Sequence, residues 1–173
     1  MLTPADLDSL DLSRPVVLYL PDEAATARLG ALVAPQLRMG DVVYLHGDLG
    51  AGKSSLARGL IRALTDPDED VPSPTFTLMQ TYDADAFAIV HLDLYRLKAP
   101  EESYELGLDD ALATSVLVIE WPDKLAHLGF DDRLDIVLEQ GNNTNLPDGA
   151  RGGRIATLTP VGRFGADTGT KRV

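Results

Sequence analysis

Short apolar runs punctuate this chain, separated by helix-patterned or turn-rich stretches. Val16–Leu20 (VVLYL) reads as a first strand. PDEAATARLGALVAPQL follows with apolar positions at helical spacing, Asp22 near its start and Pro35 placed to end or kink it. Val42–Leu45 is a second apolar strand, and Leu56–Leu64 continues a helix that opens just before it. TDPDEDVPSP is a loop by its Pro and Asp content. Thr75–Tyr82 and Phe87–Leu92 read as two strands joined by a turn at Asp83-Ala84-Asp85. Glu101–Ala113 fits one or two short helices. Ser115–Ile119 (SVLVI) is almost wholly apolar, as in a strand buried on both faces. Asp135–Glu139 and Arg154–Thr159 pattern as a closing antiparallel pair around the polar loop GNNTNLPDGARGG.

This order predicts a mixed α/β sheet of six or seven strands with helices on its faces. Residues 1–161 form one domain without internal repeat or linker. The stretch from Gly162 to Val173 carries little core signal and is expected to be a frayed, flexible tail.

Chemistry enters at the end of the second strand. Gly47-Asp48-Leu49-Gly50-Ala51-Gly52-Lys53-Ser54 satisfies the phosphate-loop pattern G-x-x-x-x-G-K-[ST], between the strand and the helix that the pattern requires. Glycines let the backbone wrap a phosphate with its N–H groups inward, and the helix N-terminus faces the same anion. Lys53 reaches the β- and γ-phosphates in such a loop, and the Ser54 hydroxyl ligates Mg²⁺.

Two other apolar strands end in an acid. Phe87–Leu92 leads to Asp93, 40 residues after Lys53, and the run VLVI leads to Glu120, 27 residues further. Both acids are thereby delivered to the carboxyl edge of the sheet, where ligands of open α/β sheets bind. One is expected to hold magnesium and the other to orient the attacking water; the pattern does not say which. Ser73-Pro74-Thr75 offers hydroxyls of the kind that nucleotide switches bring to the metal or the γ-phosphate.

Net charge is −12, from 27 acidic against 15 basic residues. Such a surface repels nucleic acid, so any RNA in the process is expected to be held by a partner. Acidity also serves solubility. The chain has no cysteine, which fits a reducing cytoplasm. Its N-terminal residues are acidic where a signal peptide is basic, and no stretch reaches the length of a membrane span. His46, His91 and His127 are scattered without metal-site spacing.

The segments GDLGAGKSS, SPTFT, HLDLYRL, ELGLDD and VIEWPDK, in this order, resemble the bacterial TsaE (YjeE) family. This is the P-loop ATPase of the tRNA threonylcarbamoyladenosine pathway. The likeness runs from about Pro21 to Asp123 and more weakly over the strand pair beyond. It implies a three-layer P-loop NTPase-like fold, with a parallel central sheet flanked by antiparallel strands. It implies ATP and Mg²⁺ as cofactors, with TsaD and TsaB as partners that reach tRNA on its behalf. Asp48, Leu49, Gly50, Ala51, Gly52, Lys53, Ser54 and Ser55 would surround the phosphates. Ser54 and Glu120 would bind magnesium, Asp93 and Thr75 would belong to the hydrolytic site, and Pro21 and Asp22 would lie near adenine. Tyr95, Arg96 and Trp121 would line the site or face a partner; for Trp121, the only tryptophan, core packing is the other option. Ser54 stands where many members have threonine, and either hydroxyl binds magnesium.

Two other functions suit a phosphate loop. A small-molecule kinase would use Arg133, Arg151 and Arg154 as a phosphate clamp. A guanine-nucleotide switch would need an N-K-x-D motif, but the only asparagines are Asn142, Asn143 and Asn145.

Overall fold

A computed structural model describes residues 10–141, 146 and 152–164. The strands are β1 (Val16–Leu20), β2 (Val42–His46), β3 (Met79–Asp83), β4 (Ala88–Asp93), β5 (Ser115–Glu120), β6 (Arg133–Gln140) and β7 (Arg154–Val161). They form one seven-stranded sheet in the order β1-β7-β6-β2-β5-β4-β3. The four central strands, β6-β2-β5-β4, are parallel, and β7, β1 and β3 add antiparallel edges. This is the predicted sheet, and β2 stands at its middle.

Strand periodicity sorts the core into two layers. Val43 and Leu45 of β2, Val116 and Val118 of β5 and Ile89 of β4 pack under α1 (Glu23–Val33) and α2 (Lys53–Leu64). Val42, Tyr44, Val90, Leu92, Leu117 and Ile119 face the other way, onto α3 (Leu108–Leu112) and two 3₁₀ segments, Pro100–Leu106 and Pro122–Leu128. The same alternation puts Asp93 on the face of Ile89, and Glu120 on the face of Val118. Both acids therefore project toward α2.

Asp22 caps α1: its carboxylate accepts from the Ala25 N–H at 2.8 Å. Pro35 follows within a 3₁₀ turn, Ala34–Gln36, that ends the helix as expected. α1 and α2 meet backbone to backbone. A β-carbon on Gly30 would lie 2.1 Å from the Leu56 carbonyl oxygen, and one on Gly59 would lie 2.0 Å from that of Ala27. Alanine favours a helix interior over glycine by about 1 kcal/mol. At this crossing the steric cost dominates, since overpacking a tight core typically costs about 1–3 kcal/mol. Gly59→Ala is therefore expected to lower the thermal midpoint; an unchanged or raised midpoint in a melting experiment would contradict this packing.

The structure differs from the sequence reading at several places. Thr75 to Leu78 is a turn rather than the start of a strand, and β3 begins only at Met79. The Leu78 N–H closes on the Pro74 carbonyl at 2.7 Å, and Leu78 takes a left-handed φ of 63° that a strand cannot hold. α2 already begins at Lys53, and Pro122–Leu128 forms a 3₁₀ segment that the apolar pattern did not reveal. The expected tail does not fray from its start: Gly162 to Phe164 form a turn in which Arg163 pairs with Asp132 and Phe164 packs into the core, and the residues beyond Phe164 lie outside the described residues.

Candidate nucleotide site

The loop after β2 folds as its glycines require. Gly47 has φ +140°, and a β-carbon there would lie 2.5 Å from the Leu138 carbonyl oxygen. Gly52 has φ +104° and caps α2. Side chains at either position would be strained. The loop thus presents the N-terminal end of α2 to a cleft of about 330 Å³, lined by residues from the loop, α1, the Thr75 turn, β4, β5 and β7.

Lys53 lies within this cleft, only 5% exposed. Its ammonium donates to the carbonyl oxygens of Gly47 at 2.6 Å and Asp48 at 2.8 Å. It also sits 4.0 Å from the centre of the Trp121 ring. Burial pushes the ammonium below the usual lysine range, against the pull of Glu120, Asp93 and Asp48. The cation is thus held at the loop with only backbone oxygens and an aromatic face as direct partners.

Asp93 and Glu120 are register partners on adjacent parallel strands. Both are buried, at 4% and 2% exposure. The Asp93 carboxylate accepts from the Thr75 hydroxyl at 2.7 Å and the Tyr95 N–H at 3.0 Å. The Ser73 and Thr75 hydroxyls are 2.8 Å apart, and the Asp93 N–H donates to the Leu78 carbonyl at 3.1 Å. The whole Thr75 turn is in this way pinned onto the end of β4.

Glu120 is gripped from both sides. One carboxylate oxygen accepts from the Ser54 hydroxyl at 3.1 Å, and the other lies 2.9 Å from His91 Nε2. His91 is wholly buried and shares the α2-facing side of β4 with Asp93. A hydroxyl and a carboxylate side by side are hard oxygen ligands of the kind magnesium takes. Among the described residues no group of three or more His, Cys, Asp or Glu is placed to hold a metal. Magnesium takes one or two carboxylates and completes its shell with phosphate and water. The residues present therefore fit a nucleotide-borne Mg²⁺ ion.

Nine of the predicted site residues converge on the cleft: Leu49, Gly50, Gly52, Lys53, Ser54, Ser55, Thr75, Asp93 and Glu120. Asp48 contributes through its carbonyl, while its side chain is exposed. Ala51 is buried beneath the loop, its N–H bonded to the Asp48 carbonyl. Pro21 is exposed and Asp22 is occupied by its cap; neither is in the lining, which on this side comes from Glu23. Glu23 accepts from the Ser55 hydroxyl at 2.8 Å.

Trp121 lines the cleft rather than the deep core. Its left-handed backbone (φ 58°) turns the ring over Lys53, with the Tyr95 ring tilted against it at 5.0 Å. Phe76 stands 84% exposed at the turn, with the Arg96 guanidinium 5.0 Å above its ring. Ser73, singled out in the sequence with Thr75, also lines the cleft, whereas Glu23 and the grip of His91 on Glu120 were not legible in the motifs. For His91 a signal was available: it lies two residues before Asp93 in a strand and so shares its face.

Residues 20–147 match the family described as "Threonylcarbamoyl adenosine biosynthesis protein TsaE". The chain belongs to the TsaE family. It is 43% identical over 123 residues to the tRNA threonylcarbamoyladenosine biosynthesis protein TsaE of Rickettsia felis, covering 71% of this chain and 72% of that one. With the Haemophilus influenzae protein of the same name it shares 36% identity over 84% of this chain and 91% of that one. The crystal structure of Bacillus subtilis YdiB superposes with a TM-score of 0.69 at 26% identity, covering 87% of this chain and 88% of that one. The protein is thus a TsaE-family member of the tRNA threonylcarbamoyladenosine pathway with a P-loop NTPase-like fold. No helix among the described residues is long and apolar enough to cross a membrane.

Proposed function

We propose that this TsaE-family protein is a cytoplasmic, Mg²⁺-dependent ATPase that acts on the TsaD–TsaB complex through ATP binding and hydrolysis. It does not itself handle tRNA; its net charge of −12 leaves that to its partners. The observation that carries the reading is the convergence of Ser54, Glu120, Asp93 and Thr75 on the phosphate loop.

In this reading Lys53 leaves the Gly47 and Asp48 carbonyls for the β- and γ-phosphates. Ser54 and Glu120 hold the ion, and His91 keeps the Glu120 carboxylate aimed at it. Magnesium, when bound, neutralises charge on the β- and γ-phosphates. Asp93 accepts a hydrogen bond from the attacking water and orients it, once Thr75 has turned from Asp93 toward the nucleotide.

The Thr75 turn is the part that a partner can control. It is held to β4 by hydroxyl contacts and one backbone bond, with Phe76 exposed beside it. A partner that fixes the turn completes the site, so hydrolysis is slow alone and rises with TsaD and TsaB. Coupling is reciprocal, so nucleotide state tunes partner affinity. Thr75→Ala is expected to lose stimulation by the partners while keeping ADP affinity. Calorimetry of TsaD–TsaB binding, with ADP and with a non-hydrolysable ATP analogue, tests the switch. Equal affinities in both states, with no stimulation, would leave a stand-alone ATPase or kinase. Phosphate release without any acceptor separates ATPase from kinase.

The kinase reading loses most of its clamp. Arg133 is paired with Asp135 and lies over the Tyr44 ring, away from the cleft. Arg151 lies outside the described residues, and only Arg154 reaches the cleft.

A further inference from the structure

Arg154 opens β7 and comes to the phosphate loop from the side opposite the acids. β6 and β7 lie to one side of β2, while β5 and β4, with Glu120 and Asp93, lie to the other. A β-carbon on Gly52 would stand 3.1 Å from Arg154 Nε and 3.5 Å from its Cδ, so the side chain lies directly against the loop. The same point is 3.3 Å from Thr26 Cγ2 of α1. Arg154 therefore sits where the loop, α1 and the cleft meet.

Its hydrogen bonding is incomplete. Nε is buried and has no acceptor among the described residues, nor does any described carboxylate pair with the guanidinium. A buried donor left unmet is costly, and the arginine fork matches the oxygens of a carboxylate or a phosphate; in a phosphate-loop cleft the anion is phosphate. Lys53 serves the loop from the acid side and does not meet this need.

We propose that Arg154 is a second cationic grip on the nucleotide, its guanidinium binding the phosphate chain at the nucleoside end of the loop. It rests on the nucleotide reading of the cleft. The placement away from Asp93 and Thr75 gives Arg154 a binding role common to ADP and ATP, rather than a role in the transition state. Such uniform binding sets affinity and leaves turnover at saturation unchanged.

The test compares the wild type with Arg154→Met, which keeps the stem on Gly52, and Arg154→Lys, which keeps the charge but not the fork. ADP and a non-hydrolysable ATP analogue are titrated calorimetrically with Mg²⁺, and kcat is measured at saturating ATP. Arg154→Met is expected to weaken both ligands equally, by about 10–100-fold, with kcat nearly unchanged. Arg154→Lys should recover part of the loss, and the ligand-free thermal midpoint should stay near wild type. Wild-type ADP affinity in Arg154→Met overturns the proposal. So does a fall in kcat with ADP affinity kept, which would put the guanidinium on the γ-phosphate. If the Met variant does not fold, the Lys variant decides: intermediate affinity supports the grip, and unchanged affinity refutes it. A wild type that binds no nucleotide removes the ATPase reading as well, whereas failure of Arg154 alone leaves that reading standing.

Discussion

Asp93→Asn is expected to bind Mg·ATP and hydrolyse it slowly, by about 10²–10⁴-fold relative to wild type, the usual loss for a general base. Asparagine keeps the shape: its amide oxygen accepts from the Tyr95 N–H, and its NH2 donates to the Thr75 oxygen in place of the hydroxyl's own donation, so the turn stays in place. What disappears is the charge that draws the water. Glu120→Gln is expected to fail differently. Its carboxylate is the one beside the Ser54 hydroxyl, so magnesium-dependent nucleotide binding weakens before any chemistry is reached. Binding titrations at varied Mg²⁺, run beside single-turnover hydrolysis, separate the two. Normal activity in either variant removes that residue from the site, and exchanged phenotypes would exchange the two roles.

Lys53→Ala is expected to abolish productive ATP binding. The ammonium is the cation nearest the loop carbonyls and is already desolvated before any nucleotide arrives, so its charge acts at low dielectric. The variant should still fold. It frees two carbonyl oxygens in a solvent-facing cleft and removes a costly buried charge, a net change of about 1 kcal/mol. Calorimetry with ATP and a thermal melt check both halves. Retained affinity, or a collapsed midpoint, would show that Lys53 serves the fold instead.

Much of this site could be read before any coordinates. The strand–loop–helix frame of Gly47 to Ser54 is local, so its glycines and flanking apolar patterns sufficed. Asp93 and Glu120 were legible because each ends an apolar run and parallel strands end at one edge. The mixed α/β sheet followed from the alternation of strands and helices, but its strand order rests on long-range pairing that no local pattern gives. The Thr75 turn was misread because Thr-Phe-Thr-Leu alternates as a strand does, and only contacts to Asp93 and Pro74 decide otherwise. Arg154 entered the sequence reading only as one of three arginines that a kinase could use as a phosphate clamp, with nothing to place it at the loop. It reaches the loop through pairing of β7 with β6 and β1, a long-range fact no local pattern carries.

Trp121 lies in ring contact with the ammonium that nucleotide must capture. It is also the chain's sole tryptophan. Red-edge excitation therefore samples one indole, and that indole watches the reacting centre. When Lys53 turns from the loop carbonyls toward phosphate, the charge above the ring moves and the emission changes with it. The native protein so carries its own optical reporter, able to time each nucleotide arrival in a stopped-flow trace. Since the chain has no cysteine, Phe76→Cys would carry a second dye for partner docking with no native thiol to remove first.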